Sequence, residues 1–423
     1  MAQLSDDVFA AGEAPMTIEQ AVGFLLARVA DAPEIEQVGL HEADGRILAQ
    51  DVTAARCLPG FDNCAVDGYA ARFADLALHG DSVLKIGARA AAGRPLERLA
   101  PGPADFAGAA VRIFTGAAMP DGFDTAFMQE DCRRLEGGEV VLPAGLKRFA
   151  NVRRRGEDVA TGDVALKAGR RLRPEDLALA AALGLPTLPL RRRVTAALFS
   201  TGDELASPGE RLGPGGAYDA NRFMLAALLR RQGVEVSDLG VLPDERRVIA
   251  AALREAAGAH DLVLSSGGVS VGEEDHVRAA ILERGSLDFW RLAVKPGRPL
   301  AMGVLDGTPF VGLPGNPVAA FIGFIFVARA LVAALGGAVF EPPRFARAVA
   351  GFSYKKKPGR REFVRVSLVD DGSGLPRAEK YPLDGAAALT SLTRTQGLVA
   401  LPEALREVAP GDVVSFVDYD LIR

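Results

Sequence analysis

The sequence has few of the features that mark secreted or membrane proteins. Its three cysteines, Cys57, Cys64 and Cys132, are odd in number and lack CxxC spacing, which argues against a disulfide framework or a zinc knuckle. Residues 1–15 hold no basic segment followed by an apolar one, so we expect no secretion signal. The longest apolar run, 318–328, is too short to span a bilayer and predicts a buried helix. We therefore expect a cytoplasmic protein.

Aromatic residues are also scarce, at 6%, whereas 49% of the residues are apolar, as in a globular protein rich in Ala, Val and Leu. A chain of 423 residues is too long for one ordinary core, so we expect two to four domains. The net charge of −5 argues against general nucleic-acid binding. Local basic groups must therefore hold any anionic substrate, and the candidates are 153–155, 191–193, and 355–357 with Arg360 and Arg361. The alternative for each is solvated surface charge.

A glycine-rich junction lies at 261–276. An apolar run fit for a buried strand ends at Ser265, passes through Gly267 and Gly268, and leads into a helix-like run at 277–283. Loop amides and a helix start can bind an anion there. The acidic trio of Glu273, Glu274 and Asp275 would repel a bare phosphate, so we predict an anion together with a divalent metal. The alternative is an ordinary glycine loop followed by acids that cap the helix.

Strand-like and helix-like runs alternate around this junction. The predicted strands are 194–199, 234–242, 261–266, 289–294, 300–304 and 309–312, and the predicted helices include 221–232 and 248–257. Such alternation predicts a mostly parallel sheet, whose ligands bind at the carboxyl ends of the strands.

Charged and proline-rich loops follow these strands. Three of the loops carry the acids Glu204, Asp244 and Asp275. A fourth loop is a rigid turn that holds the cations Lys295 and Arg298. The fifth, Leu313-Pro-Gly-Asn-Pro317, opens the apolar helix. Prolines fix the direction of each exposed group. Five polar loops converging on one edge of a sheet predict a functional site rather than solvated turns.

The N-terminal half offers further candidates. We predict a helix over 18–29 with a capping box of Thr17 and Gln20, a strand over 45–52, and a small β domain over 71–149. The loop at 59–69 holds two carboxylates beside the thiol of Cys64, which suggests a site.

Two of these candidates leave alternatives open. Thr115 follows a strand and could offer its hydroxyl to a ligand, or that hydroxyl could bond its own backbone. The arginines at 153–155, beside Glu157 and Asp158, could bind phosphate or form a surface ion-pair network.

Six motifs in this order resemble those of the molybdopterin molybdenumtransferase (MoeA) family, which includes the homologous domains of the plant molybdenum-insertion protein and of animal gephyrin. They are Phe61-Asp-Asn-Cys-Ala-Val-Asp-Gly-Tyr69, Arg153-Arg-Arg-Gly-Glu-Asp158, Ser200-Thr-Gly-Asp-Glu204, Ser265-Ser-Gly-Gly-Val-Ser-Val-Gly272, Lys295-Pro-Gly-Arg-Pro299 and Leu313-Pro-Gly-Asn-Pro317. The resemblance is collinear from about Met16 to the C-terminus.

The resemblance implies a multidomain α/β plus β fold and a homodimer. The implied parts are an elongated split domain at 16–60 and 150–190, an inserted small β domain at 61–149, a mostly parallel-sheet α/β (MoaB/MogA-like) molybdopterin-binding domain at 191–340, and a C-terminal β barrel at 341–423.

The resemblance also implies a Mg²⁺-dependent transferase that inserts molybdenum from molybdate into adenylylated molybdopterin, releases AMP and forms molybdenum cofactor. Such chemistry needs charge neutralisation at phosphorus, which a metal held by carboxylates supplies. The implied catalytic residues are Asp67, Thr115, Asp158, Glu204, Asp244, Asp275 and Lys295, with Glu204, Asp244 and Asp275 as metal ligands. The implied substrate-binding residues are Ser265, Gly267, Gly268, Ser270, Arg291, Arg298, Pro314, Asn316 and Pro317.

In such a dimer Asp67, Thr115 and Asp158 would close the cleft from the partner subunit, so a monomer should be inactive. The resemblance also implies transient contacts with molybdopterin adenylyltransferase and with molybdoenzymes. We expect no binding to nucleic acid or to a membrane. The competing hypotheses are a non-enzymatic dimeric scaffold and a paralogue that inserts tungsten.

Three departures from the family pattern matter. Cys64 stands where serine is usual, and we interpret it as a small buried side chain rather than a thiol near the dithiolene. Arg291 and Arg298 stand where lysine is common, so the oxyanion geometry should differ. The segment 385–391 is less polar than usual, which puts a ligand role for the C-terminal domain in doubt.

Overall fold

The computed structural model describes residues 15–27, 29, 33–94, 96–99, 106–268, 276–370, 372 and 374–422. Ser270, Glu273, Glu274 and Asp275 lie outside the described residues. The α-helices are α1 Ile18–Leu26, α2 Pro174–Ala182, α3 Asn221–Arg231, α4 Arg246–Ala259, α5 His276–Leu282, α6 Pro317–Gly323, α7 Arg329–Leu335 and α8 Thr390–Thr393. The capping box predicted for α1 is confirmed.

Most of the strands are short. In chain order they are β1 Ile35–Gly39, β2 Val52–Thr53, β3 Asn63–Cys64, β4 Gly68–Ala71, β5 Ser82–Ala90, β6 Glu97–Arg98, β7 Ala109–Ile113, β8 Thr125–Met128, β9 Arg133–Arg134, β10 Glu139–Leu142, β11 Val152–Arg153, β12 Val164–Leu166, β13 Thr187–Arg191, β14 Thr195–Thr201, β15 Leu205–Ala206, β16 Ala217–Tyr218, β17 Glu235–Leu242, β18 Leu262–Ser266, β19 Gly285–Arg291, β20 Val294–Lys295, β21 Pro299–Leu305, β22 Thr308–Leu313, β23 Ala346–Ala350, β24 Tyr354–Lys355, β25 Arg361–Val369, β26 Arg377–Lys380, β27 Gly397–Leu401, β28 Glu407–Val408 and β29 Val413–Asp418.

The chain divides into two compact units. The first contains residues 1–49, 169–172 and 189–423, and the second contains residues 50–168 and 173–188.

The first unit contains a six-stranded sheet with the order β17-β14-β18-β22-β21-β19. Strands β17, β14, β18 and β22 pair in parallel, and β21 is antiparallel to both of its neighbours. It follows that β19 runs in the same direction as the four parallel strands and that β21 alone is reversed. The mostly parallel sheet predicted from the alternating pattern is confirmed.

Successive residues of β14 bury against opposite faces of this sheet. Leu198 packs in one core with Leu225 and Leu229 of α3, whereas Phe199 packs in another with Ile249 and Leu253 of α4. Because the side chains of a strand alternate in direction, a nearly continuous apolar run is what a strand covered by helices on both faces requires. This burial fixes the sheet in place, and the loops at its edge carry the polar residues.

The apolar helix predicted at 318–328 is confirmed as a buried one. It forms the middle of one helical segment, in which a π-helical stretch at Phe324–Ala328 joins α6 to α7. Among the described residues this segment, Pro317–Leu335, is the one helix long and apolar enough to cross a membrane. It is 83% buried inside the protein, which is the environment of a core helix.

The C-terminal region of the first unit is a closed five-stranded β barrel. Its strands follow the order β25-β26-β23-β29-β27, and pairing of β27 with β25 closes the ring. Val364, Val366, Val399 and Phe416 fill the interior. The short strand β20 pairs with β25 of this barrel in parallel, so that Lys295 lies opposite Glu362. The predicted barrel is confirmed, and it contacts the loop that carries Lys295.

The second unit is built around the sheet β8-β4-β7-β5-β10-β9, with β6 paired to β5. The apolar runs that predicted a small β domain fall in β5, β7 and β10. The strand predicted over 45–52 is wrong, because Ile47 and Leu48 form only single bridges and β2 begins at Val52. The Ala49 amide donates to the carbonyl of Pro189, and proline has no N–H to return the bond and extend a ladder.

Candidate functional site

Four parallel strands of the first unit end side by side. Thr201 of β14 pairs with Leu242 of β17, Ser200 pairs with Ser266 of β18, and Ser266 pairs with Leu313 of β22. The loops after these strands therefore leave the sheet at one edge, as the sequence predicted. The reversed strand β21 begins at this edge, and Arg291 at the end of β19 pairs with Pro299 at the start of β21. We call this the carboxyl edge.

Two of the predicted acids follow neighbouring strands at the carboxyl edge. Glu204 is exposed and Asp244 is half-buried. A Cβ atom placed on Gly202 would lie 2.7 Å from Glu204 Oε2, so the glutamate side chain folds back over the strand end. Nearby, the hydroxyls of Ser200 and Thr201 are buried without a hydrogen-bond partner in the described part of the chain. Carboxylate and hydroxyl oxygens form a donor set that suits Mg²⁺.

The residues described here contain no cluster of three or more His, Cys, Asp or Glu side chains arranged to hold a metal. The third predicted ligand, Asp275, lies outside the described residues. The metal site predicted from Glu204, Asp244 and Asp275 therefore stays a prediction.

The glycine loop after β18 has little room. Gly267 and Gly268 have φ values of 83° and 63°, in the left-handed region that favours glycine. A Cβ on Gly267 would lie 2.9 Å from the Thr201 carbonyl oxygen, and one on Gly268 would lie 2.5 Å from Thr201 Cγ2. Ser265, just before them, is fully buried. The two glycines thus let this loop pass directly over the end of β14.

A buried amide holds three of the loops together. Asn221, at the start of α3, donates through Nδ2 to Ser266 Oγ and to the Gly315 carbonyl, both at 2.8 Å. The Gly267 amide also donates to the Leu313 carbonyl. Asn221 was not predicted as a site residue, although a polar residue that opens an otherwise apolar helix indicates such a role. It acts by positioning the β18 and β22 loops.

The proline-rich turn at 313–317 leads directly into α6. Pro314 is buried, Asn316 is exposed, and Pro317 occupies the first turn of the helix. Asn316 is the N-cap residue, yet its side chain makes no capping hydrogen bond. Its amide group therefore stays accessible at the carboxyl edge.

Arg291 and Arg298 are both exposed at the same edge. The Leu292 amide donates to the Arg298 carbonyl at 2.8 Å, which holds the backbone of the two arginines in one turn. A Cβ on Gly297 would lie 3.3 Å from the Ala319 carbonyl of α6, so this turn packs closely on the core helix. The arrangement presents two guanidinium groups to solvent beside the β22 loop.

Lys295 contacts a buried carboxylate of the barrel. Its Nζ lies 3.2 Å from Glu362 Oε2 and donates to Tyr354 Oη at 3.2 Å. Tyr354 in turn donates to Glu362 Oε2 at 2.8 Å, and Arg360 Nε donates to Oε1 at 2.8 Å. The Glu362 side chain is 1% exposed, whereas that of Lys295 is 42% exposed. The barrel therefore anchors a cation that still faces solvent.

The pKa values of this cluster favour the ionised pair. Burial alone would raise the pKa of Glu362, but hydrogen bonds from Tyr354, Arg360 and Lys295 outweigh it and lower that pKa below 4.5. Burial alone would lower the pKa of Lys295, but contacts with Tyr354 and Glu362 raise it above 10.5. Lysine and glutamate therefore both stay charged at neutral pH.

We expect Glu362→Gln to change the acid stability of the protein. Because the folded-state pKa of Glu362 is depressed, its ionised form stabilises the fold above pH 4.5, and this contribution is lost as the pH falls through the folded-state value. The variant should lose roughly 2 kcal/mol of unfolding free energy at neutral pH. Urea unfolding across the acidic range should then show a steeper loss for the wild type than for the variant. Parallel curves would contradict this assignment.

In the second unit, Asp67 and Thr115 form one polar group. The Thr115 amide and its Oγ1 both donate to Asp67 Oδ1 at 2.8 Å, and these bonds lower the pKa of Asp67. The alternative in which the Thr115 hydroxyl bonds its own backbone is wrong. Both residues belong to exposed loops, so their polar atoms are accessible.

Asp158 is exposed on the loop after β11. Pairing of β11 with β3 and an ion pair of Arg154 with Asp62, at 3.0 Å, hold this loop to the one at 58–67. The ion-pair interpretation is thus confirmed for Arg154. Cys64 is fully buried and donates to the Val66 carbonyl at 3.0 Å, and burial raises the pKa of its thiol. The interpretation of Cys64 as a small buried side chain is confirmed.

Arg365 in the barrel was also not predicted from the sequence. It is 4% exposed and donates to Ser391 Oγ at 3.1 Å and to the Leu383 carbonyl at 2.9 Å. The Val318 amide at the start of α6 donates to the Ala386 carbonyl. Arg365 thus supports the 383–391 segment, which touches the helix at the carboxyl edge.

Three family models match the chain. They are the MoeA N-terminal region (domain I and II) at 16–184, a probable molybdopterin binding domain at 197–334, and the MoeA C-terminal region (domain IV) at 347–419. The molybdopterin-binding model covers the α/β sheet and its carboxyl edge. Fold and matches together define a multidomain protein built around this type of domain.

Curated relatives and solved structures agree with these matches. The chain is 36% identical to the molybdopterin molybdenumtransferase of Haemophilus influenzae over 96% of its length and 99% of that protein. It is 37% identical to molybdopterin molybdenumtransferase 2 of Mycobacterium tuberculosis over 88% and 92%. The crystal structure of a moeA protein from Pyrococcus horikoshii OT3 matches with a TM-score of 0.80 and 28% identity, over 96% of this chain and 100% of that one.

The chain belongs to the MoeA family of molybdopterin molybdenumtransferases. It is accordingly a transferase of molybdenum cofactor biosynthesis.

Proposed function

We propose that this protein inserts molybdenum from molybdate into adenylylated molybdopterin, releasing AMP and forming molybdenum cofactor. The carboxyl edge carries the proposal. Two carboxylates, Glu204 and Asp244, follow β14 and β17 at one end of this edge. Lys295, Arg291 and Arg298 lie at its other end, near β19 and β21. Acids at one end of this edge and cations at the other suit an extended substrate that carries phosphates and reacts with an oxyanion.

The chain's own groups divide the work. Arg291 and Arg298 hold phosphate or molybdate oxygens, for which guanidinium forks are suited. Lys295 supplies a fixed positive charge that Glu362 orients from the barrel. Glu204 and Asp244, with Asp275 as predicted from the motif, hold Mg²⁺. When bound, this ion supplies charge neutralisation at the phosphorus of the adenylyl group.

The remaining predicted residues complete the proposal. Gly267 and Gly268 let the backbone approach the substrate, and Ser265 and Ser270 of the same motif bind it, as predicted from the sequence. Pro314, Asn316 and Pro317 form the turn after β22 that borders the substrate. Asp67, Thr115 and Asp158 close the cleft from the partner subunit of a homodimer. The protein works in the cytoplasm and meets molybdopterin adenylyltransferase and molybdoenzymes transiently.

The proposal is tested by measuring AMP release from adenylylated molybdopterin. With magnesium and molybdate the wild-type protein should release AMP and form molybdenum cofactor, and omission of molybdate or chelation of magnesium should stop both. Release with tungstate but not molybdate would identify a tungsten-inserting paralogue. Binding of the pterin without AMP release in either case would overturn the enzyme proposal in favour of a scaffold.

A further inference from the structure

A pocket lies at the edge of the six-stranded sheet opposite the carboxyl edge. Its lining includes Val194, which precedes β14, and Gly233 and Val234, which precede β17. It is a small pocket that opens to solvent. A strand of the length of β14 spans about 20 Å, and the carboxyl edge lies at its other end. The two sites are therefore separate.

Arginine dominates the lining of this pocket. Its five arginines are Arg46, Arg171, Arg191, Arg192 and Arg193. Two of them have carboxylate partners: Arg46 pairs with Glu36, and Arg192 Nη2 lies 2.8 Å from Asp261 Oδ1.

The other three, Arg171, Arg191 and Arg193, contact no carboxylate within the described ranges. Each donates one bond to a backbone carbonyl, namely those of Gly45 at 2.8 Å, Pro33 at 2.9 Å and Gly233 at 3.4 Å. A carbonyl oxygen satisfies one donor, but it does not neutralise a positive charge. The pocket therefore carries three guanidinium groups that form no ion pair with the described residues.

Two of these groups are close together. A Cβ atom placed on Gly233 would lie 3.3 Å from Arg171 Nη1 and 3.7 Å from Arg193 Nη1. The two nitrogens are thus no farther apart than the sum of these distances, about 7 Å. Burial first, and the charge of Arg193 second, lower the pKa of Arg171. Gly233 leaves room for both guanidinium groups beside it, and a Cβ atom there would contact both.

A buried donor also lacks a partner here. Arg191 Nε is buried and makes no hydrogen bond within the described part of the chain. A buried N–H without an acceptor costs free energy, as does an uncompensated charge. An anion in the pocket would relieve both penalties.

We propose that this pocket binds the phosphate group of a small phosphorylated molecule. Guanidinium groups bind the tetrahedral oxygens of phosphate through paired N–H donors. A phosphate dianion also neutralises more than one positive charge. Val332, Ala333 and Ala338 form an apolar wall beside the arginines, against which the carbon part of the ligand packs. The sequence alone indicated 191–193 as a candidate anion site, and the fold brings Arg171 to it.

Titration calorimetry at constant ionic strength tests this proposal, with inorganic phosphate and phenyl phosphate as probes. Wild-type protein should bind both, and phenyl phosphate should bind more tightly because of the apolar wall. Arg193→Gln should weaken each by about tenfold or more, the loss expected for one charge-assisted bond. Lys295→Ala changes the carboxyl edge, so the arginine pocket of this variant should still bind phosphate with the wild-type affinity. The exposed Arg254→Gln removes the same charge elsewhere and should have no effect.

Thermal unfolding supplies an independent readout. Without phosphate, Arg193→Gln should be at least as stable as the wild type because it removes a repulsion. Phosphate should raise the melting temperature of the wild type by more than that of the variant, which retains only the carboxyl edge as a phosphate site. Should the variant fail to fold, Arg193→Lys keeps the charge but loses the fork and should still weaken binding. The proposal is overturned if the wild type binds neither probe, or if Lys295→Ala rather than Arg193→Gln abolishes binding.

Discussion

Lys295→Ala should lower molybdate-dependent AMP release by roughly 100-fold or more, which is the scale of losing one preorganised group that stabilises developing charge. The ammonium group is anchored to the buried Glu362 and to Tyr354, while the side chain remains 42% exposed at the carboxyl edge. Its position therefore requires no reorganisation when an anionic substrate arrives. The measurement is AMP formed per enzyme under saturating substrate.

Matched variants show whether Lys295 acts as a charge fixed by the barrel. Lys357→Ala removes an exposed lysine of the same region and should leave the rate unchanged. Lys295→Arg keeps the charge, but its planar fork differs from a compact ammonium, so it should recover only part of the rate. Wild-type activity in Lys295→Ala would remove this residue from the catalytic set.

Gly268→Ala should reduce activity by a similar factor. The residue has a φ of 63°, where an alanine costs about 1–2 kcal/mol. Its Cβ would also lie 2.5 Å from Thr201 Cγ2 and 2.7 Å from Val277 Cγ2. Both neighbours are buried, so the loop rather than the core should shift. A displacement of about 1 Å at a reacting group costs on the order of 100-fold in rate.

The control for this prediction is Gly258→Ala. That glycine lies in α4, and a Cβ atom added to it would have open space within 4 Å. Alanine there should stabilise the helix by about 0.5–1 kcal/mol without changing the rate. AMP release and urea unfolding, measured for both variants, separate loop displacement from general loss of stability. Full activity in Gly268→Ala would show that the loop does not approach the substrate.

The sequence predicted the elements of the α/β sheet well because their signals are local. Apolar runs ending in Ser, Gly or Pro identify buried strands and the loops after them. Polar residues that follow such runs can therefore be assigned to strand ends before the pairing of the strands is known. Glu204 and Asp244 were therefore found without coordinates. The strand predicted at 45–52 was wrong because a β ladder also depends on the partner segment. Pro189 accepts a hydrogen bond from the Ala49 amide, but it has no N–H to donate one in return.

Contacts between segments that are distant in the chain could not be predicted from such local signals. Glu362 lies 67 positions after Lys295 in the chain, and only the pairing of β20 with the barrel brings them together. Asn221 gives no motif of its own, yet it joins the β18 and β22 loops. Arg171 had no reason to be grouped with Arg193 until both were found above Gly233.

By itself the sequence determined the family, the order of strands and helices, and the residue types that collect at strand ends, since these follow from motifs and from local apolar periodicity. The tertiary structure decided which strand ends are neighbours, which carboxylate holds Lys295, and which arginines share a pocket without an ion pair to the described residues. These depend on long-range packing, in which burial and geometry, rather than neighbouring residues in the chain, select the partner of each polar group.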